Sequence, residues 1–394
     1  MEKQTENSKI PYRDNAHMMS VAWDLIYLVS CAVKGELPDQ SRCTKMDDQA
    51  VYQMACSHML SAAAAYALKK CRPLSAEWQE ARGYALRNHI LFDLERAKVL
   101  HLLEKNGIRY LPLKGAVLKQ LYPHPAMREM SDNDILYDFT HADKVRSLME
   151  GLGYTCKKFL HTDQGHDIYF KPPTISFEMH RTLMNRYTFP VLFDYYQAKD
   201  DLWQKDADNR YGYHMTNEDF YLFLIGHMYK HYVHAGTGIR SLLDIYIYCR
   251  SYPELADSAA VQAELKKMEL SDYERITRSL AIKIFSGEKL SNEEEKELLC
   301  YVESNVYGTE QKRLRRELNH DAGTAAKLRY LRRRIIPPRD SLQQSYPAVY
   351  RHRILYPLVV LYRPIKGMFK HPVKLKKEIQ NLFRYQQDPD QSEK

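Results

Sequence analysis

The sequence lacks the cysteine pattern of a stapled or zinc-bound domain. Its seven cysteines, Cys31, Cys43, Cys56, Cys71, Cys156, Cys249 and Cys300, are odd in number and scattered, and no two form a C-x-x-C pair. That excludes a disulfide framework and a zinc ribbon and fits a reducing compartment. No uninterrupted apolar run of about 18 residues is visible, so a multi-span membrane protein is not expected. The first apolar stretch, residues 18–33, carries Asp24 at its centre. A signal peptide core would exclude that charge, so the stretch predicts an amphipathic helix and a cytoplasmic protein. Internal repeats and low-complexity tracts are also missing. What is present is ordinary for a globular chain: 394 residues, 44% hydrophobic and 27% charged. That composition excludes general disorder, and the length predicts more than one domain.

The net charge of +8 is unevenly placed. Residues 310–394 hold 20 Lys plus Arg against 8 acids, so they carry +12, and the remaining residues carry −4. The chain reads as four pieces. Residues 1–85 form an N-terminal helical region, with helical spacing at 16–34 and 47–71 and a start signal at Ser75. That third helix should run to about Asn106, with Ile90, Leu91, Leu94, Ala97 and Leu100 on one face and Gly107 as its stop. Residues 86–215 form a core. Strands are predicted at 108–113, 132–137, 154–159, 166–171 and 174–180, with helices after the first and second. The order β-α-β-α-β-β-β predicts an α+β fold with a small mixed, mostly antiparallel sheet flanked by helices. Residues 216–309 read as a helical bundle opening at a Thr216 cap. Residues 310–394 are the basic tail.

Chemistry concentrates at residues 110–137. On a strand, positions two apart share a face, so Asp132 and Asp134 project side by side. Paired anions repel unless a cation sits between them. Glu178 and His180 share one face of a later strand, opposite Phe177 and Met179. If the two strands are neighbours, three carboxylates converge on Mg²⁺ or Mn²⁺ rather than zinc. Two such ions about 4 Å apart activate an attacking oxygen and stabilise the leaving one. Upstream, Lys114-Gly115 lies between a strand and a helix. Gly115 lets backbone amides approach a phosphate. Lys114 offers a point charge, and Arg128 a fork, to phosphate oxygens. His180 either orients Glu178 or touches a phosphate.

The run LPLKGAVLKQLYPHPAMREMSDNDILY, residues 111–137, resembles the signature of the bacterial "uncharacterised nucleotidyltransferase" family, part of the DNA polymerase β-like nucleotidyltransferase superfamily. The shared pattern is an apolar strand ending in Lys-Gly, a helix to Tyr-Pro, an Arg, and Asp-x-Asp before apolar residues. Glu178-Met179-His180 resembles the family's acidic-x-His strand, and residues 227–231 and 238–244 its helical segment. The resemblance implies a core that uses an NTP and divalent metal, with Asp132 and Asp134 on the metals. It implies Glu178 as third carboxylate, shared with the acceptor hydroxyl, and Gly115 facing the triphosphate. Two positions depart from the superfamily: Ala116 stands where Gly or Ser is usual, and Glu178 where the third acid is often Asp.

Lys230 and Arg240 are further candidates for holding the nucleotide. Arg240 and Asp244, four apart, also predict an intrahelical ion pair. His227 and His231 share a helix face but lack the Glu of a zinc-protease H-E-x-x-H. In the tail, residues 354–362 are apolar and flanked by Arg351, Arg353, Arg363 and Lys366. They are too few to span a bilayer but can lie on an anionic surface at the inner face of a membrane, or pack on the protein's own core. No nucleic-acid motif accompanies the basic residues, so nucleic acid is not the expected partner. The expected reaction is metal-dependent transfer of an NMP from an NTP to an acceptor hydroxyl, with release of pyrophosphate. The alternatives are a glycosyltransferase holding a nucleotide sugar through D-x-D and a non-catalytic nucleotide-binding protein.

Overall fold

The structure is a computed structural model that describes residues 14–160, 165–186, 188–234, 236–304 and 323–336, with 349, 352, 354, 356–362, 380 and 382. The chain divides into two compact units, Met1–Lys230 with Thr237–Val306, and His231–Gly236 with Tyr307–Lys394.

The fold is α+β, as the order of elements predicts. Strands β1 (Tyr110–Pro112), β2 (Asn133–Tyr137), β3 (Thr155–Lys158), β4 (His166–Lys171) and β5 (Ile175–His180) form one sheet in the order β1-β2-β5-β4-β3. Only β2 and β5 are parallel neighbours; the other three pairs are antiparallel. Period-two alternation decides the two faces. Ile135 and Tyr137 of β2, Phe177 and Met179 of β5, and Tyr169 of β4 point to one face. There they join Phe92, Val99 and Leu103 of α5 (Ala76–Lys105) and Val145 and Met149 of α7 (Ala142–Gly151) in one buried cluster.

The helices before the sheet are α1 (Asn15–Lys34), α2 (Gln40–Lys45), α3 (Asp48–Ser57), α4 (Ser61–Cys71) and α5. The stretch 47–71, read from sequence as one helical segment, is two helices: α3 ends at a His58 cap, and Met59 takes a positive φ of 51° before α4 begins. The apolar face expected on α5 is corrected as well. Ile90, Leu91, Leu94 and Ala97 are exposed, and the buried stripe is Trp78, Ala85, Phe92, Glu95, Val99 and Leu103. This helix is apolar on two sides, and sheet packing takes the side that includes Phe92.

By length and composition α1 is also apolar enough to cross a membrane, despite Asp24; among the described residues it is the only such helix. It is packed inside the fold, with Leu25, Leu28 and Val29 fully buried and Ser30 Oγ donating to Phe285 O at 2.7 Å.

After the sheet come α8 (Pro190–Gln197), a hairpin of β6 (Gln204–Lys205) and β7 (Tyr213–His214), α9 (Asn217–His234), α10 (Ile239–Ser251), α11 (Ala259–Lys267), α12 (Ser271–Ser286) and α13 (Asn292–Ser304). Thr216 caps α9 as predicted, accepting from Asp219 N at 3.1 Å. Buried His58 ties the early and late helices together. Its Nδ1 accepts from Ile239 N at 3.2 Å, so Nε2 carries the proton and donates to Val302 O at 3.1 Å.

Of the basic tail, α14 (Thr324–Ile335) and a helical run at 356–362 are described. In that run Val359 is buried and Leu358, Leu361 and Tyr362 are exposed. Arg351, Arg353, Arg363 and Lys366, which flank the apolar run, lie outside the described residues.

Candidate active site

The D-x-D is held from three sides before any ligand enters. Asn133, between the two aspartates, is fully buried on the core side; it donates to Phe92 O at 3.3 Å and accepts from Arg96 Nη1 at 3.1 Å. Leu113 N donates to Asp134 O at 2.9 Å, which fixes the end of β1 against β2. Glu129, three residues before Asp132, accepts from Ser61 Oγ and Ala62 N, both at 2.9 Å, and so closes the N-terminus of α4. None of these supports was visible in the sequence. Each joins residues far apart in the chain.

Register then brings the site together. Asp134 lies opposite Glu178 across the parallel β2–β5 pair, and His180 follows two residues on. All three side chains point away from the apolar cluster. His180 Nε2 is 2.8 Å from Asp134 Oδ1 and 3.5 Å from Glu178 Oε2. Thus His180 serves both carboxylates. Asp132 precedes the strand and is half-buried. Burial, and then the Asp134 and Glu178 charges, push its carboxyl up to about 6. Burial opposes the Glu178 charge too, but the His180 ring N–H and, against Asp134, the Lys114 ammonium hold it down at about 2. For Asp134, Lys114 and His180 overcome burial and hold the carboxyl far below its usual range.

Lys114 stands over the carboxylates. Its Nζ donates to Asp134 Oδ1 at 2.5 Å and lies 3.9 Å from Glu178 Oε2. The backbone explains the direction. Ala116 N donates to Leu113 O at 3.2 Å, and Lys114 has φ 46° and ψ −117°, the first corner of a type II′ turn. A non-glycine residue there stores about 1–3 kcal/mol of strain, and such residues gather at functional sites. The turn sends Lys114 back over the carboxylates.

The helix after it, α6 (Gly115–Leu118), has only four residues. A Cβ on Gly115 would come within 2.8 Å of Arg128 Nη1, so the glycine here makes room for that guanidinium.

Arg128 is engaged within the protein. Its fork closes on Asp244 of α10, Nε to Oδ1 at 3.1 Å and Nη2 to Oδ2 at 2.9 Å, and Tyr122 OH donates to the same Asp244 Oδ1 at 2.7 Å. Asp244 is therefore engaged by the loop. Arg240 reaches Glu129 O at 3.1 Å and Met59 Sδ at 3.0 Å. Both arginines clamp the loop that delivers the D-x-D. Lys230 of α9 stands within electrostatic reach of Lys114, Glu178 and Asp134. Burial, then the Lys114 charge, push its ammonium down to about 8. His227 lies with its ring 5.9 Å from that of Phe223.

One side chain of this face escaped the sequence reading. His166 of β4 pairs with His180 of β5, and its Nε2 is 3.6 Å from Glu178 Oε1. No local spacing links residue 166 to 178; only the β4–β5 pairing does.

These donors suit a cation. Two ionised carboxylates, a third pushed up by burial and then by their charge, and two imidazoles share one face. A comparison with curated proteins and one with solved structures each returned no match. The family model described as "Uncharacterised nucleotidyltransferase" matches residues 44–286, more than half of the chain and the whole of the site just described. The chain belongs to the uncharacterised nucleotidyltransferase family.

Proposed function

We propose that the protein moves an NMP from an NTP to an acceptor hydroxyl, with release of pyrophosphate, in a reaction that needs Mg²⁺ or Mn²⁺. The observation that carries this reading is the in-register pairing of Asp134 with Glu178 on the face that also holds Asp132 and Lys114. Asp132, Asp134 and Glu178 would hold the cation. When bound, a divalent ion neutralises the triphosphate and lowers the pKa of an attacking hydroxyl.

The chain's own groups supply the rest. Glu178, kept ionised by His180 and Lys114, can accept the hydroxyl proton. His180 fixes the orientation of both Asp134 and Glu178. Lys114 and Lys230 bring positive charge to a face that must receive an anion. Arg128 and Arg240 act through the loop, as positioning residues.

The test is pyrophosphate release from each NTP with Mg²⁺ or Mn²⁺ and candidate acceptors. Release should be abolished by Asp132→Ala combined with Asp134→Ala. Release that persists in that variant refutes the site. Turnover of a nucleotide sugar without pyrophosphate would favour the glycosyltransferase reading. Nucleotide binding without turnover would favour a binding protein, the reading that Ala116 supports by removing a hydroxyl from the phosphate loop. We also propose that the exposed Leu358, Leu361 and Tyr362 of the +12 tail lie on an anionic membrane surface.

A further inference from the structure

We propose that His166, Glu178 and His180 form a two-imidazole, one-carboxylate site that takes a divalent transition-metal ion of the Mn²⁺–Zn²⁺ class in preference to Mg²⁺. The inference rests on reading this face as a cation site, and it names the kind of ion. The sheet builds the triad by simple rules. His166 and His180 are directly opposed across antiparallel strands, and opposed residues share a face. Glu178 is two residues from His180 on that same face. One donor atom from each residue lies within 4.8 Å of the others.

His180 Nε2 meets Asp134 Oδ1 at 2.8 Å and would give up its proton to an ion, whereas both Glu178 separations are longer than a hydrogen bond. Glu178 Oε1 is 3.6 Å from His166 Nε2, and Oε2 is 3.5 Å from His180 Nε2. Good N–H···O bonds are about 2.9–3.0 Å long. Two ligands each about 2.1 Å from one metal, at a roughly tetrahedral angle, are about 3.5 Å apart. All three side chains are largely buried, so the approach is preorganised. Imidazole nitrogen suits borderline transition metals, whereas Mg²⁺ prefers an all-oxygen shell with several waters. The oxygen-only ligand set expected from the sequence omits the two nitrogens.

The experiment uses the full chain with Mn²⁺ alone and no nucleotide. Pulsed EPR should show ¹⁴N modulation from coordinated imidazole, and growth on ¹⁵N-histidine should convert it to the ¹⁵N pattern without any mutation. His166→Gln should weaken Mn²⁺ binding by about tenfold or more while Mg²⁺ affinity changes by less than about twofold. Bound Mn²⁺ without nitrogen modulation, no Mn²⁺ binding, or equal Mn²⁺ affinity in His166→Gln overturns the proposal. Pyrophosphate release is measured separately. Its absence alongside nitrogen-coordinated Mn²⁺ would sink the transfer reaction and leave the metal site standing, and the reverse result would sink only the metal site.

Discussion

The two faces of the five-stranded sheet come from the same few residues and obey opposite rules. On one face Ile135, Phe177, Met179 and Tyr169 pack against α5 and α7 and are fully buried. On the other, Asp134, Glu178, His180 and His166 crowd charge and imidazole together. Phe177, Glu178 and Met179 are consecutive, so adjacent residues belong to the core and to the site. The apolar face provides the stability that lets the polar face stay crowded, since buried like charges are costly unless paired.

The largest expected effect breaks the polar face. Asp134→Ala should lower pyrophosphate release by about a thousandfold or more, on the order of 4 kcal/mol in the barrier, measured in steady state at saturating metal. On the apolar face, Phe177→Ala should cost about 3–5 kcal/mol in denaturant-induced unfolding. Phe177 is fully buried, with its ring 5.3 Å from that of Tyr154. A cost below 1 kcal/mol would mean that this face is not the core.

The loop that joins the faces comes next. Arg128→Ala leaves buried Asp244 without its fork and should cost about 3 kcal/mol. Arg128→Lys should recover only part of it, because an ammonium cannot form the two-pronged contact.

A smaller effect appears in acid. Glu95 lies on the apolar side of α5, where burial alone would raise its pKa. Hydrogen bonds from Lys98, Tyr154 and Lys171 outweigh burial and hold it at about 2. The unfolded chain, with an ordinary Glu near 4.5, binds more protons than the folded one between those values. The contribution of Glu95 is therefore fully present above about 4.5 and is lost as pH falls toward 2. Glu95→Gln should flatten the stability profile in that window and leave its slope above pH 5 unchanged.

The smallest effect concerns the tail. Leu358→Asp with Leu361→Asp should lower sedimentation with anionic vesicles by roughly tenfold in partition coefficient, about 1.4 kcal/mol. Equal sedimentation removes the membrane proposal.

Much of this was legible before the structure, and the failures have a common cause. The succession of strands and helices, the sharing of one strand face by Glu178 and His180, and the Thr216 cap follow from short-range pattern. The protein partners of Lys114 and Arg128 were not legible, because a lone basic residue has no local signature of its partner. Arg128 pairs with Asp244, 116 positions away. The face of α5 was misread because both sides of that helix are apolar, and periodicity cannot rank two apolar sides. His166 went unnoticed because its partners lie on the next strand.

By itself, the sequence determined which side chains share a face. Alternation in Asp132-Asn133-Asp134-Ile135 and in Phe177-Glu178-Met179-His180 is a property of extended backbone, and it separates core from site within five or six residues. Tertiary structure decided which faces meet. The pairing of β2 with β5 and of β4 with β5, the return of Lys114 over the carboxylates and the closure of Arg128 on Asp244 depend on burial summed over distant segments. That sum is set by how the whole apolar face packs against α5 and α7, and no window of the chain contains it.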